Sequence, residues 1–209
     1  MIAVPQQAAW ILSTLNQGGY EAYVVGGCVR DSLLGKSPQD WDIATSARPE
    51  QVKACFGNVP VLETGIRHGT VTLVLGRIPY EITTFRSESA YTDHRRPEEV
   101  AFVKTLEEDL KRRDFTVNAM AYHPKLGLRD CFGGQEDLKN RLLRTVGDPN
   151  ARFAEDALRI LRAVRFASAL GFTIERRTGE AILSKAKELS YVSPERKTGE
   201  LIKLLGGVD

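Results

Sequence analysis

The sequence predicts an α/β domain with a small mixed β-sheet and flanking helices, followed by an all-helical segment. Up to about residue 147, short β-branched runs alternate with stretches of helical period. After Asp148, helical patterns follow one another with no strand pattern between them. A length of 209 residues suffices for one domain and an appendage. The expected division is therefore residues 1–147 and residues 148–209.

Each element has a local reason. Pro5 to Asn16 is amphipathic and is stopped by Gly18-Gly19. Tyr20 to Val25 reads as a strand, and Cys28 to Leu34 as a helix opening on the turn Gly26-Gly27. A strand through Asp40-Trp41-Asp42-Ile43 follows, then a helix from Pro49 to Phe56 with proline at its first position. His68 to Leu75 and Ile78 to Phe85 flank Gly76-Arg77 as a hairpin. Ser87 to Glu99 is polar and reads as a mobile connection. Thr105 and Glu108 form a capping box that starts the helix leading to Arg112-Arg113-Asp114. Asp148 and Pro149 open a longer helix running to Gly171, and two more follow, Arg176 to Glu188 and Pro194 to Leu205, the latter with Ser193 as N-cap.

Composition sets outer bounds. With 42% hydrophobic and 27% charged residues, the chain is an ordinary globular protein. Its net charge of +2 does not itself imply nucleic acid, but Arg144, Arg152, Arg159, Arg162, Arg165 and Arg176 concentrate charge in one region. Cys28, Cys55 and Cys131 have no CxxC spacing, which argues for a reducing compartment and against a zinc site or disulfide framework. No apolar run approaches membrane-spanning length, so a cytoplasmic protein is expected.

The chemistry starts at Asp40 and Asp42. Alternate strand residues share a face, so the two carboxylates are presented together, an arrangement suited to a divalent cation between them. The Gly26-Gly27 turn upstream lets backbone N–H groups approach a phosphate. Together these features point to metal-assisted nucleotidyl transfer, although either motif alone is equally an acidic or glycine turn in solvent. Glu81 lies opposite in phase to Tyr80, Ile82 and Thr84; on a neighbouring strand it would complete a three-carboxylate cluster able to hold two magnesium ions. Arg113 and Asp114 can face a nucleotide or form an exposed helix end, and Asn118 can share their face. Asp156, Arg159, Arg162 and Arg165 are spaced by three along one expected helix, beside an apolar stripe of Leu158, Leu161 and Val164. Held rigidly, a carboxylate and a guanidinium can read the Watson–Crick edge of a base; solvated salt bridges are the alternative. His68, His94 and His123 share no metal spacing.

In order, these motifs resemble the class II tRNA nucleotidyltransferase and bacterial poly(A) polymerase family. The matching pieces are Gly26-Gly27-Cys-Val-Arg30-Asp31, Asp40-Trp-Asp42, Arg112-Arg113-Asp114-Phe-Thr-Val-Asn118, Glu155-Asp156-Ala-Leu-Arg159-x-Leu-Arg162 and Ser193-Pro-Glu-Arg-Lys-Thr-Gly-Glu200. The resemblance implies a nucleotidyltransferase head and a helical neck. It assigns Asp40 and Asp42 to Mg2+, with Glu81 as the third carboxylate. Gly26, Gly27 and Arg30 would hold the triphosphate, with Arg113, Asp114 and Asn118 on the nucleotide. Asp156 and Arg159 would select the base, with Arg162 and Arg165 close by. The implied reaction adds CMP or AMP from CTP or ATP to a tRNA 3′ end. Arg67-His-Gly-Thr and Glu81-Ile-Thr-Thr-Phe-Arg favour the CCA-adding branch, as does an intact loop from Arg86 to Phe102. An A-adding enzyme, a poly(A) polymerase or a binding module without turnover are the alternatives. Family members usually continue into body and tail domains, whereas this chain stops at Asp209: a shortened chain, a minimal enzyme or half of a two-part system. Leu201, Ile202, Leu204 and Leu205 on the last helix suit a homodimer, with a monomer as the other possibility.

Overall fold

The computed structural model describes residues 2–57, 59–88 and 100–207. Up to Lys111 the elements are α1 (Gln6–Gln17), β1 (Ala22–Val25), α2 (Gly27–Leu33), β2 (Ile43–Thr45), α3 (Pro49–Phe56), β3 (Val61–Leu62), β4 (Thr70–Leu75), β5 (Ile78–Thr84), β6 (Arg86–Glu88), β7 (Val100–Phe102) and α4 (Leu106–Lys111), with β6 and β7 forming a short pair of their own. Then come β8 (Met120–His123), β9 (Gly127–Asp130), α5 (Gly134–Lys139), β10 (Leu142–Leu143), α6 (Pro149–Glu155), α7 (Leu158–Leu170), β11 (Thr173–Ile174), α8 (Arg176–Lys185) and α9 (Pro194–Gly206).

Two compact units result. Of the described residues, the first comprises 2–57, 59–88, 100–112 and 118–131; the second comprises 113–117 and 132–207. The first is built on a seven-stranded sheet of order β3-β4-β5-β2-β1-β8-β9. Its β2–β5 pair is parallel while the neighbouring pairs are antiparallel, so the sheet is mixed as the sequence predicts. Helix α1 buries Ala8, Ile11, Leu12 and Leu15, the apolar stripe read from the sequence, and packs on β1 and α3. The hairpin β4–β5 turns at Gly76 and Arg77, both with positive φ (57° and 71°), the combination that matches strand twist in a two-residue turn.

The second unit is mainly helical. Phe153, Ile160 and Ala181 form one buried cluster, and Ala157, Leu158 and Val192 another. Helix α7 packs against α9, and α6 against α8. Its helical part contains one two-residue strand: β11 pairs in parallel with β10.

Local signals hold where they act locally. The Thr105–Glu108 capping box forms. The Asp148 carboxylate accepts the Ala151 N–H at 2.9 Å, and Gly171 ends α7 with φ 67°. Three expectations are corrected. The single helix from Pro149 to Gly171 is two helices, broken at Asp156, whose backbone is extended (φ −147°, ψ 103°). The Asp156 carboxylate takes the Leu158 N–H at 3.1 Å, a side-chain-to-backbone bond that competes with helix continuation. The second strand begins at Ile43 rather than Asp40. Finally, the ends of the polar stretch pair as β6 and β7, with Arg86 opposite Phe102. Most of the loop from Arg86 to Phe102, residues 89–99, lies outside the described residues.

Candidate active site

In the first unit the candidate residues converge on the middle of the sheet. Asp40 and Asp42 are exposed while Trp41 and Ile43 are buried, so the carboxylates share a face although they precede the formal strand. The Val25 N–H donates to the Asp42 carbonyl at 3.0 Å and carries the β1–β2 pairing past Ile43. In the parallel β2–β5 register, Ile43 stands opposite Ile82. Extended by one residue, that register sets Asp42 opposite Glu81, which is also exposed. Sheet topology therefore makes neighbours of two carboxylates 39 positions apart in the chain, as 81 − 42 gives.

These donors suit a divalent metal in kind. Carboxylate oxygens are hard ligands, and magnesium is typically held by one or two carboxylates, with waters and substrate phosphates completing its shell. Among the described residues no group of three or more His, Cys, Asp or Glu side chains is gathered closely enough to hold a metal ion by itself. A site of the one-or-two-carboxylate kind does not require such a group.

The turn and helix beside them are specialised. Gly26 adopts φ 80°, ψ −132°, a conformation essentially confined to glycine. Gly27 differs: a Cβ there would meet only Arg30 Nη2, at 3.7 Å, an ordinary contact. Arg30 is buried, with 3% exposure. Its Nε and Nη2 donate to the two oxygens of Asp31 at 2.7 and 2.9 Å, and Nη1 donates to Asn118 Oδ1 at 2.9 Å. A bidentate pair of this kind fixes the guanidinium plane, and Asn118 with it.

In the second unit the candidates form a chain of ion pairs. Asp114 accepts Arg162 Nε at 2.8 Å and Nη2 at 2.6 Å, and its other oxygen accepts the Phe115 N–H at 2.8 Å. Arg162 Nη1 stands 3.6 Å from Glu200, which takes Arg165 Nε at 2.7 Å. Arg165 and Glu200 are buried, and both arginines lie over the Phe166 ring. Burial opposes ionisation of Asp114. The Arg162 charge and hydrogen bonds, the Arg159 charge and the Phe115 N–H outweigh it, holding the carboxyl below the usual carboxylate range. Burial likewise opposes the Arg162 charge, but Asp114 and Glu200 overcome it and raise its pKa. Arg113, in the same short segment, is half-buried.

Asp156 and Arg159 are placed differently from a single helical stripe. The Asp156 carboxylate accepts the N–H of Leu158, the first residue of α7, and binds Arg196 Nη2 at 2.7 Å. Arg159 donates to Glu155 and to the Arg152 carbonyl, the latter at 2.9 Å. Arg152 also pairs with Glu155. Asn118 accepts Arg30 Nη1 in the first unit, and Asp114 pairs with Arg162 in the second.

Sequence reasoning did not single out Asp31, Glu155, Arg196 and Glu200 as parts of the site. Glu155 carried a signal, standing four residues before Arg159, and Asp31 is adjacent to Arg30. The Glu200–Arg165 and Arg196–Asp156 pairs span 35 and 40 residues, beyond any local pattern.

Comparison with known proteins bears on these arrangements. Residues 22–144 match the family described as "Poly A polymerase head domain", and residues 171–207 match "Probable RNA and SrmB-binding site of polymerase A". A curated protein of Geobacillus thermodenitrificans, a CCA-adding enzyme, is 54% identical over 202 residues, covering 97% of this chain and 50% of that protein. The crystal structure of Bacillus stearothermophilus CCA-adding enzyme in complex with CTP superposes with a TM-score of 0.89 at 49% identity, covering 97% of this chain and 48% of that one. A tRNA nucleotidyltransferase complexed with a primer tRNA and an incoming ATP analog gives 0.75 at 34% identity, covering 91% and 54%. The chain spans about half the length of the curated relatives it matches.

Proposed function

The chain belongs to the family of the poly A polymerase head domain and the tRNA nucleotidyltransferases, and on that premise we propose that it transfers CMP and AMP from CTP and ATP to the 3′-hydroxyl of tRNA, the base being chosen by protein side chains. The observation that carries this reading is the register of β2 and β5, which brings Glu81 beside Asp42 on the exposed face that Asp40 shares.

In this reading residues 1–147 form the catalytic head and residues 148–209 the helical neck. Asp40 and Asp42 would hold Mg2+, with Glu81, on the neighbouring strand, as the third carboxylate beside them. When bound, the metal lowers the pKa of the attacking hydroxyl and neutralises charge on the triphosphate. The chain's own groups orient the reactants. The glycine turn presents backbone N–H groups to phosphate, and Arg30, locked by Asp31 and Asn118, adds a fixed positive charge behind it. In the second unit Arg196 holds Asp156, and Glu155 with the Arg152 carbonyl holds Arg159, a defined arrangement that can match base edges, with Arg162 and Arg165 fixed by Asp114 and Glu200. Arg113 and Asp114 serve the nucleotide's sugar and phosphates. Among the described residues no helix is long and apolar enough to cross a membrane, and action in the cytoplasm is part of this reading.

A tRNA transcript lacking its terminal CCA, incubated with magnesium and CTP, ATP or both, tests the proposal. CCA addition followed by a halt is expected. A long A tail would reassign the chain to poly(A) synthesis, A alone to an A-adding enzyme, and nucleotide binding without incorporation would overturn the reading for this chain.

A further inference from the structure

The second unit holds a cleft of about 200 Å³ whose walls contain none of the residues assigned above. We propose that it is a binding site for a single phosphate group. Two guanidinium groups line it, from Arg144 and Arg177, against one carboxylate, from Glu175. That carboxylate is engaged by its own helix: as N-cap of α8 it accepts the Thr178 N–H at 2.7 Å and the Thr178 hydroxyl at 2.9 Å. The lining thus offers two guanidinium groups while its own acidic group is turned to structural use.

Arg144 is braced from behind. Its Nε and Nη2 each reach Asp137 Oδ2 at 2.9 Å, and Nη2 lies 3.4 Å from the Phe132 carbonyl. The side chain is nonetheless 42% exposed, so a guanidinium of five N–H donors keeps some of them available while its plane is held. Arg177 is exposed on the first turn of α8, where its charge also acts on the Glu175 carboxylate. Thr145, in the same wall, has a buried hydroxyl that meets no hydrogen-bond partner among the described residues, an unsatisfied polar atom in the cleft lining. Size narrows the ligand: the cleft is smaller than the roughly 300 Å³ at which pockets begin to enclose whole small molecules. One tetrahedral oxyanion fits within it.

The phosphate can come from an RNA backbone or from free phosphate; the first source rests on the function proposed above, the second does not. The test uses the full chain and its Arg177→Ala and Arg177→Lys variants, because Arg177 is exposed and lies outside the catalytic assignments. Inorganic phosphate is titrated with amide resonances observed, and tRNA binding is followed across salt concentration. Phosphate is expected to shift the Thr145 and Gly147 amides, with affinity reduced about tenfold by Arg177→Ala and restored by Arg177→Lys. If RNA supplies the group, Arg177→Ala also lowers the salt slope of RNA binding by about 0.7–0.9. Amide shifts with an unchanged RNA slope support the site and assign it to free phosphate. Absence of both effects overturns the proposal. A chain that fails to add nucleotides can still give the phosphate shifts, so failure of the two readings is distinguishable.

Discussion

Two clusters of charge, one in each unit, are handled in opposite ways. In the first, Asp40, Asp42 and Glu81 stand exposed on one side of a sheet whose other residues at those positions, Trp41, Ile43 and Ile82, are buried. In the second, Asp114, Arg165 and Glu200 are buried and joined to one another through Arg162. An exposed carboxylate keeps most of its hydration and can exchange water for a cation, at little cost to the fold. A buried ion pair has already lost its water, and its value lies in rigidity: removing one partner leaves an uncompensated charge inside the protein. Groups that must bind and release are thus kept wet, and groups that must hold a shape are kept dry.

Substitutions can break this contrast. The largest effect is expected for Asp42→Ala, which should lower nucleotide incorporation by about 10³-fold, since a catalytic metal contributes several kcal/mol to the transition state. Its urea midpoint should stay near wild type, because surface changes usually fall within about 0.5 kcal/mol. A destabilised Asp42→Ala protein would contradict the exposed half of the comparison. Glu200→Ala should behave oppositely, losing about 3 kcal/mol of stability as Arg165 is left buried without its carboxylate. Chemical denaturation measures this, and an unchanged midpoint would show that the buried network is dispensable. Arg159→Ala should change the preference between CTP and ATP by roughly 10–100-fold in competition assays. Normal base selection would sink the templating role.

The smallest effect concerns pH. The folded pKa of Asp114 lies below its ordinary value of 3.8, so its ion pair contributes stability that is complete above that value. The contribution is lost as pH falls through the lower folded pKa. Urea midpoints followed from neutral pH down to about pH 2 should therefore drop more steeply for the wild-type chain than for Asp114→Asn. Parallel acid limbs would remove Asp114 from the network.

What could be read from the sequence tracks the distance over which each cause acts. The Asp148 cap, the Gly171 stop, the Gly76-Arg77 hairpin and the shared face of Asp40 and Asp42 depend on residues within a few positions, and all were legible. The break at Asp156 was not, because apolar positions recur at helical spacing on both sides of it while a single side-chain bond to the Leu158 N–H ends the helix. Periodicity reports which face is apolar, not whether the backbone is continuous. The Glu200 pairing with Arg165 was invisible for another reason: it exists only once α7 and α9 have packed. The position of Glu81 next to Asp42 was half legible. Its phase was readable along the strand, but its neighbour required the parallel register.

That register also acts as a proofreading device. Side chains alternate along a strand, so a slip by one residue would exchange the two faces throughout. Trp41 and Ile43 would be driven into water, and Asp40 and Asp42 into the protein interior, at a cost of several kcal/mol for each desolvated carboxylate. The misaligned chain is therefore penalised by the carboxylates that chemistry needs and by the apolar residues that folding needs, at the same positions. A molecule that has folded at this strand has, by the same event, aimed its carboxylates.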